Sequence, residues 1–183
     1  MADFLSLDPR LDDAARICRA IVESPKGGRA KYAYDPESGA FEMKRMLPDG
    51  MSFPLDFGFV PGTWAEDGDP LDILVLNDEP ACVGALLEAR LIGVIEGEQR
   101  EGGESVRNDR VLAVAQASNL FRSIGAADDL DERVLRNLTQ FWVNYAALRG
   151  AEFVVLGLQG PAAAADAVRQ ARAAFLDRTS GSG

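Results

Sequence analysis

Leu130, Val134, Leu135, Leu138, Phe141, Tyr145 and Leu148 fall three and four residues apart, so they line one side of a helix. The spacing predicts a helix opening after Gly125. Asp128, Asp129 and Asp131 stand in its first turn, where carboxylates complement the positive end of the helix dipole, and Gly150 is a natural stop. A second helix opens at Pro161, whose fixed φ suits the first helical position, and carries Val168, Ala171 and Phe175 on one side. Leu11, Ala14, Ala15, Ile17, Cys18 and Ile21 repeat the helical spacing and predict a short amphipathic helix over 11–21. Between Ala30 and Val114 the pattern changes to short β-type runs at 31–34, 40–46, 72–76, 85–95 and 110–115, and 153–158 reads as one more strand. Breaks fall at Asp35-Pro36, Ser38-Gly39, Pro48-Asp49-Gly50, Pro61-Gly62 and Gly102-Gly103. Many short strands separated by turns point to an antiparallel sheet or small barrel, and the whole to an α+β protein. Neither a repeat nor a linker interrupts it, so 1–183 reads as one domain, with about 1–10 and 177–183 as loose ends.

Composition narrows the chemistry. With 183 residues, 47% hydrophobic and 26% charged, the chain has the make-up of a globular domain with a substantial core. Its first ten residues carry acids and no apolar segment, and no apolar run approaches membrane-spanning length, so a cytoplasmic protein is expected. Cys18 and Cys82 stand far apart and are expected to be small buried residues. A net charge of −10 argues against nucleic-acid or anionic-membrane partners, which require clustered Lys and Arg. An acidic protein can still act on an anion when divalent cations lie between them. The chain has no histidine, which excludes Ser-His and Cys-His nucleophilic sites, imidazole bases and His-ligated zinc. What remains is carboxylate, Lys, Arg, Tyr and hydroxyl chemistry, and oxygen-ligated Mg²⁺ or Mn²⁺ if a metal is used.

The stretch Glu66-Asp67-Gly68-Asp69-Pro70-Leu71-Asp72-Ile73-Leu74-Val75-Leu76 sets three aspartates on a Gly-Pro loop that runs into an apolar strand. Carboxylates crowded at the edge of a core are costly without compensation, and a hard cation among them is one resolution. On spacing alone, a solvated acidic turn is the stronger reading.

The order of residue types changes that balance. Asp-Gly-Asp-Pro-hydrophobic-Asp-hydrophobic resembles the signature of the soluble inorganic pyrophosphatases and is matched in full. Glu23 with Pro25-Lys26-Gly27, Lys31-Tyr32, Asp35, Glu37-Ser38-Gly39, Arg45, Phe53-Pro54, Phe57-Gly58-Phe59 and Pro61-Gly62-Thr63 continue the resemblance ahead of the acidic loop. Gly93-Val94 and Phe141-Trp142-Val143-Asn144-Tyr145 continue it behind, so it covers about residues 17–160. The resemblance implies a closed, mostly antiparallel OB-like barrel flanked by helices, hydrolysis of diphosphate by Mg²⁺-activated water, and a homo-oligomer, with a hexamer favoured. It implies Asp67 and Asp72 as metal ligands, Asp69 as the group that deprotonates water, and Lys31, Arg45 and Tyr145 as phosphate contacts, with Glu23 in support. Taken singly, Lys31 and Arg45 also read as exposed strand residues, and Tyr145 as a core residue.

The chain departs from the family pattern in several places. Ala33 stands where the family has a glutamate, Phe57 where it has a tyrosine, and Ala146 where it has a lysine. A longer run from Glu96 to Arg110 replaces a short loop that holds two metal-binding aspartates and a lysine. Counting back from Val111 puts Arg110 on the lysine, as a further phosphate contact, and Asn108 on an aspartate. Asp109 supplies that carboxylate only if the backbone shifts. Glu98 is the candidate for the other carboxylate, and Gln99 the more literal match. Solvated charge remains the plain alternative for Glu98 and Asp109. The departures leave three functions open: a diphosphatase, a hydrolase of another phosphoanhydride or phosphomonoester, and a non-catalytic protein on the same fold.

Overall fold

The structure, a computed structural model, describes residues 3–180. Of the segments expected to be loose, residues 1–2 and 181–183 lie outside the described residues. Among the described residues, nine strands and two α-helices follow one another: β1 (Ile17–Ser24), β2 (Ala30–Asp35), β3 (Ala40–Met46), β4 (Asp56–Phe59), β5 (Asp72–Leu76), β6 (Leu86–Glu101), β7 (Glu104–Arg107), β8 (Arg110–Ala115), α1 (Glu132–Ala147), β9 (Glu152–Gln159) and α2 (Pro161–Ser180).

The sheet runs β1-β4-β5-β8-β6, and β6 returns to pair with β1, so five strands close into a ring. Every pairing in it is antiparallel except β5 with β8. This α+β, mostly antiparallel ring is the expected architecture, although it is a strand ring more than a regular barrel. β6 is long enough to leave the ring, where β7 and β9 pair with it. The β2–β3 hairpin forms a separate two-stranded sheet.

Strand alternation divides the core in two. Leu74, Leu76, Leu112 and Val114 join Phe53, Phe57 and the α1 residues Leu138, Phe141 and Trp142 on one face. Ile73, Val75, Val111 and Ala113 pack on the other face against Ala164, Ala165, Val168 and Ala171 of α2. Strands covered on both faces read as continuous apolar runs, and each large side chain they bury contributes about 1.5–3 kcal/mol.

That double burial explains why residues 11–21 depart from the expected helix. No helix occupies 11–21. Asp12 Oδ1 accepts the amides of Ala14 and Ala15 in a turn, and Ile17–Ser24 is strand β1. Cys18, Ala20, Ile21 and Val22 are buried by pairing with β4 and β6, so their apolar run mimics helical spacing without being helical. Cys82 also departs from expectation. It is exposed in the polar connection between β5 and β6, whereas Cys18 is buried and its thiol is pushed up to about 12 by that burial. The charged run after Ile95 is an antiparallel hairpin that turns at Gly102-Gly103.

Candidate active site

The acidic loop is fixed at its base before its carboxylates matter. Val60 N–H donates to the Leu71 carbonyl (2.9 Å), Leu71 N–H to Thr63 Oγ1 (3.0 Å), and Trp64 N–H to the Ala171 carbonyl of α2 (2.8 Å). Ala65 N–H then closes the tip on the Asp69 carbonyl at 2.8 Å. Gly68 turns there at φ +90°, a conformation L side chains resist, and Pro70 leads the chain back toward β5. The result projects Asp67, Asp69 and Asp72 between two cavities.

The first cavity, about 400 Å³, is lined by Glu23, Lys31, Ala33, Trp64, Asp69 and Asp72 among others. Lys31 Nζ lies 2.7 Å from Glu23 Oε2, and both side chains are largely buried. The other oxygen of Glu23 accepts the Tyr34 amide (2.9 Å), and Ser24 Oγ accepts the Tyr32 amide (3.2 Å), so β1 side chains dock the β2–β3 hairpin against the ring. The Lys31 ammonium also sits 4.2 Å over the Phe57 ring. Arg45 is the cross-strand partner of Lys31; it is exposed and lies 5.9 Å over the ring of Tyr145. Tyr145 is buried among Phe53, Phe141 and Trp142.

The second cavity, about 360 Å³, lies on the other side of the loop. Asp67 and Asp69 line it, together with Gln99, Glu101, Glu104, Val106, Asn108 and Arg149. Gln99 and Asn108 face each other across the hairpin, with Asn108 Nδ2 3.4 Å from Gln99 Oε1.

Arg110 lies beneath the acidic loop. Its guanidinium is sandwiched over the rings of Trp142 (4.1 Å) and Phe153 (4.4 Å), donates to the Asn108 carbonyl (3.1 Å), and reaches Asp72 Oδ2 at 3.5 Å. Burial pushes Asp72 up to about 7, with Asp67 and Glu23 adding to the effect while Arg110 and Lys31 oppose it. Burial likewise raises Asp67, helped by the neighbouring Asp69. The same burial lowers Arg110, against the pull of Asp72 and Asp67.

Glu98 and Asp109 line neither of these cavities; Asp109 borders the acidic loop from another side, in a pocket with Trp64, Glu66 and Leu71. Alternation along the hairpin turns them to the opposite side, where Glu98 is bound by Arg100 (2.7 Å) and Asp109 accepts from Arg107 (2.5 Å) and the Gly97 amide (3.0 Å). Gln99 and Asn108, the literal matches, stand in the cavity instead. The signal that selects them is the Gly102-Gly103 turn: a hairpin through it puts 99, 101, 104, 106 and 108 on one face. Arg149 went unnoticed because a charged residue at the end of a helix carries no pattern.

The family model for inorganic pyrophosphatase matches residues 20–176. The chain belongs to the inorganic pyrophosphatase family. The inorganic pyrophosphatase of Thermus thermophilus is 36% identical over 172 residues, covering 92% of this chain and 95% of its own. That of Methanosarcina acetivorans is 34% identical over 158 residues, covering 86% and 92%. The crystal structure of the Thermus thermophilus pyrophosphatase superposes with a TM-score of 0.87 over 95% of this chain and 99% of that one, at 33% identity. The Neisseria gonorrhoeae pyrophosphatase structure gives 0.84, at 26% identity over 92% and 96%. This pyrophosphatase keeps the resemblance where the acidic loop meets Lys31 and Glu23. The positions expected to depart from the family pattern lie at Ala33 in the first cavity, at Phe57 under the Lys31 ammonium, at Gln99 and Asn108 in the second cavity, and at the buried Ala146.

Proposed function

We propose that this chain hydrolyses inorganic diphosphate to two phosphates, using a water activated with the help of Mg²⁺. The observation that carries this reading is the placement of three aspartates between two cavities, on the pyrophosphatase fold, with an ammonium and a guanidinium at close range.

Membership of the family implies a divalent metal, and the donor set fits one. The site offers oxygen donors only, which suits a hard cation. Burial disfavours the charge on Asp67 and Asp72, and a cation beside them would relieve that cost. Among the described residues no three His, Cys, Asp or Glu side chains converge into a metal-holding group. That is compatible with Mg²⁺, which retains several waters and takes one or two carboxylates together with substrate phosphates. Asp67 and Asp72 would hold it, and Mn²⁺ is the other ion the donors suit. When bound, such an ion lowers the pKa of water and neutralises phosphate charge.

The remaining roles fall to the chain's own groups. Asp69, which borders both cavities, would take the proton of the attacking water. Lys31, Arg45 and Tyr145 would receive phosphate oxygens, and Arg110 would add charge from beneath Asp72. Glu23 would hold the Lys31 ammonium in position. In-line phosphoryl transfer rests on positioning and electrostatics, so the lack of histidine is no obstacle.

The test is phosphate release from diphosphate, with and without Mg²⁺, in the wild type and in Asp69→Asn. Metal-dependent release lost in the variant is expected; no release from folded protein with Mg²⁺ or Mn²⁺ would sink the reading. A second reading, a different phosphoanhydride or phosphomonoester as substrate, is favoured by the neutral lining at Ala33, Gln99 and Asn108. A substrate panel with diphosphate clearly best would eliminate it. We further assign the protein to the cytoplasm as a homo-oligomer, with a hexamer favoured. The support is the family resemblance and, among the described residues, the absence of any helix long and apolar enough to cross a membrane. Light scattering that returns a monomer would remove the oligomer from this assignment.

A further inference from the structure

We propose that Arg149 is a substrate-binding residue, its guanidinium contacting a phosphate group in the cavity formed by the acidic loop and the β6–β7 hairpin. The proposal rests on reading that cavity as part of the diphosphate site.

Three observations carry it. First, among the described residues Arg149 is the one cationic side chain lining this cavity, whose other charged members are Asp67, Asp69, Glu101 and Glu104. An anionic substrate entering beside four carboxylates needs a positive contact there, and Gln99 and Asn108 supply only neutral dipoles. Second, the backbone at Arg149 is fixed while its side chain is weakly held. Arg149 N–H donates to the Ala146 carbonyl (2.9 Å), Ala151 N–H to the same carbonyl (3.1 Å), and Gly150 closes the helix at φ +74°. The guanidinium's ion pair is with Glu101 at 3.7 Å, and both side chains are partly exposed, at 34% and 51%. A long, solvated pair of that kind contributes little and is readily exchanged for a phosphate, which a guanidinium can grip bidentately. Third, Ala146 lies one helical turn earlier, is buried and ends in a methyl group, so α1 offers no cation from that position. Arg149 reaches the cavity from the turn beyond it.

The chemistry so recognised is a phosphate dianion or a metal-bound diphosphate, approached from the side opposite Lys31.

The experiment measures binding of methylenediphosphonate, whose P–C–P bridge cannot be hydrolysed, together with KM and kcat for diphosphate, all at saturating Mg²⁺. Arg149→Ala is expected to weaken methylenediphosphonate binding about tenfold and to raise KM by a similar factor, since a charge-assisted hydrogen bond is lost. Arg149→Lys is expected to recover part of the affinity. Glu101→Gln releases the guanidinium from its partner and is expected to leave binding unchanged or tighter. Binding by Arg149→Ala within about twofold of wild type would overturn the proposal, because a charge-assisted contact is worth more than that. Equal losses in Arg149→Ala and Glu101→Gln would also overturn it, since the pair would then serve only to brace the hairpin. If the wild type neither binds methylenediphosphonate nor hydrolyses diphosphate, the diphosphate reading itself fails. If the wild type does both and Arg149→Ala matches it, only the assignment of Arg149 falls.

Discussion

The two cavities that share Asp69 are built in opposite ways. On the Lys31 side, charge is paired, buried and cross-braced: Glu23 holds an ammonium with one oxygen and a backbone amide with the other. On the Gln99 side the lining is a pair of neutral amides, two glutamates and one loosely paired arginine at the base of an exposed hairpin. The first side joins Glu23 of ring strand β1 to Lys31 of the separate, half-buried β2–β3 hairpin. The second is reached from the part of β6 that has left the ring. Of the positions expected to depart from the family pattern, Phe57 lies in the ring, Ala33 in the β2–β3 hairpin, and Gln99 and Asn108 along the overhanging hairpin. Substitutions in an overhanging hairpin cost the fold little, so chemistry can change there without loss of the core.

That contrast can be broken or sharpened by experiment. The largest effect should come from Asp69→Asn, which removes the group shared by both cavities. A loss of kcat of about 10²–10⁴-fold is expected, the usual contribution of a positioned base. Steady-state phosphate release measures it, and a loss below tenfold would move the base elsewhere. Next is Lys31→Ala, which also strands the Glu23 carboxylate. We expect a fall in kcat/KM of about 10²-fold and a lower Tm, because a buried partner is left unpaired. Glu23→Gln should keep the fold while losing part of the rate.

The Gln99 side should respond in the other direction. Replacing both amides together, Gln99→Asp with Asn108→Asp, is expected to tighten Mg²⁺ binding by about tenfold in isothermal titration. Unchanged affinity would mean that this cavity takes no part in holding metal. A smaller shift is expected in thermal unfolding. Mg²⁺ should raise the wild-type Tm by mass action on the folded state, and Asp67→Asn should diminish the rise. The smallest effect belongs to Glu98→Gln, which should leave kcat within about twofold, as for a half-buried side chain paired with Arg100 on the far face of the hairpin.

Much of this arrangement was legible in the residues, for reasons that differ by element. α1 was readable because only one of its sides is buried, so Leu138, Phe141 and Tyr145 stand out from polar neighbours. β5 and β8 were readable as short apolar runs between turns. β1 was not, because an apolar run buried on both faces carries no period that separates strand from helix. β4 is four residues long with Gly58 inside it, and β7 is four residues long with Val106 as its one apolar member, so neither announces itself. Within the site, Asp67, Asp69 and Asp72 declared themselves through a loop whose turn chemistry fixes their spacing. Gln99 and Asn108 did not, because amides carry no charge signal and carboxylates stand beside both. Once the hairpin is known, alternation alone chooses between the neighbours.

The parallel pairing of β5 with β8 sets Asp72 directly opposite Arg110. Parallel neighbours cannot be joined by a tight turn, so this register is reached only after the chain between them has folded back through β6 and β7. Loop-closure entropy must be met before that contact returns any energy, which places it among the slow events of folding. The acidic loop can therefore form its local turn early and remain chemically silent until the ring closes behind it. In refolding, recovery of turnover should follow burial of Trp142, against which Arg110 stacks, and lag the first gain of secondary structure.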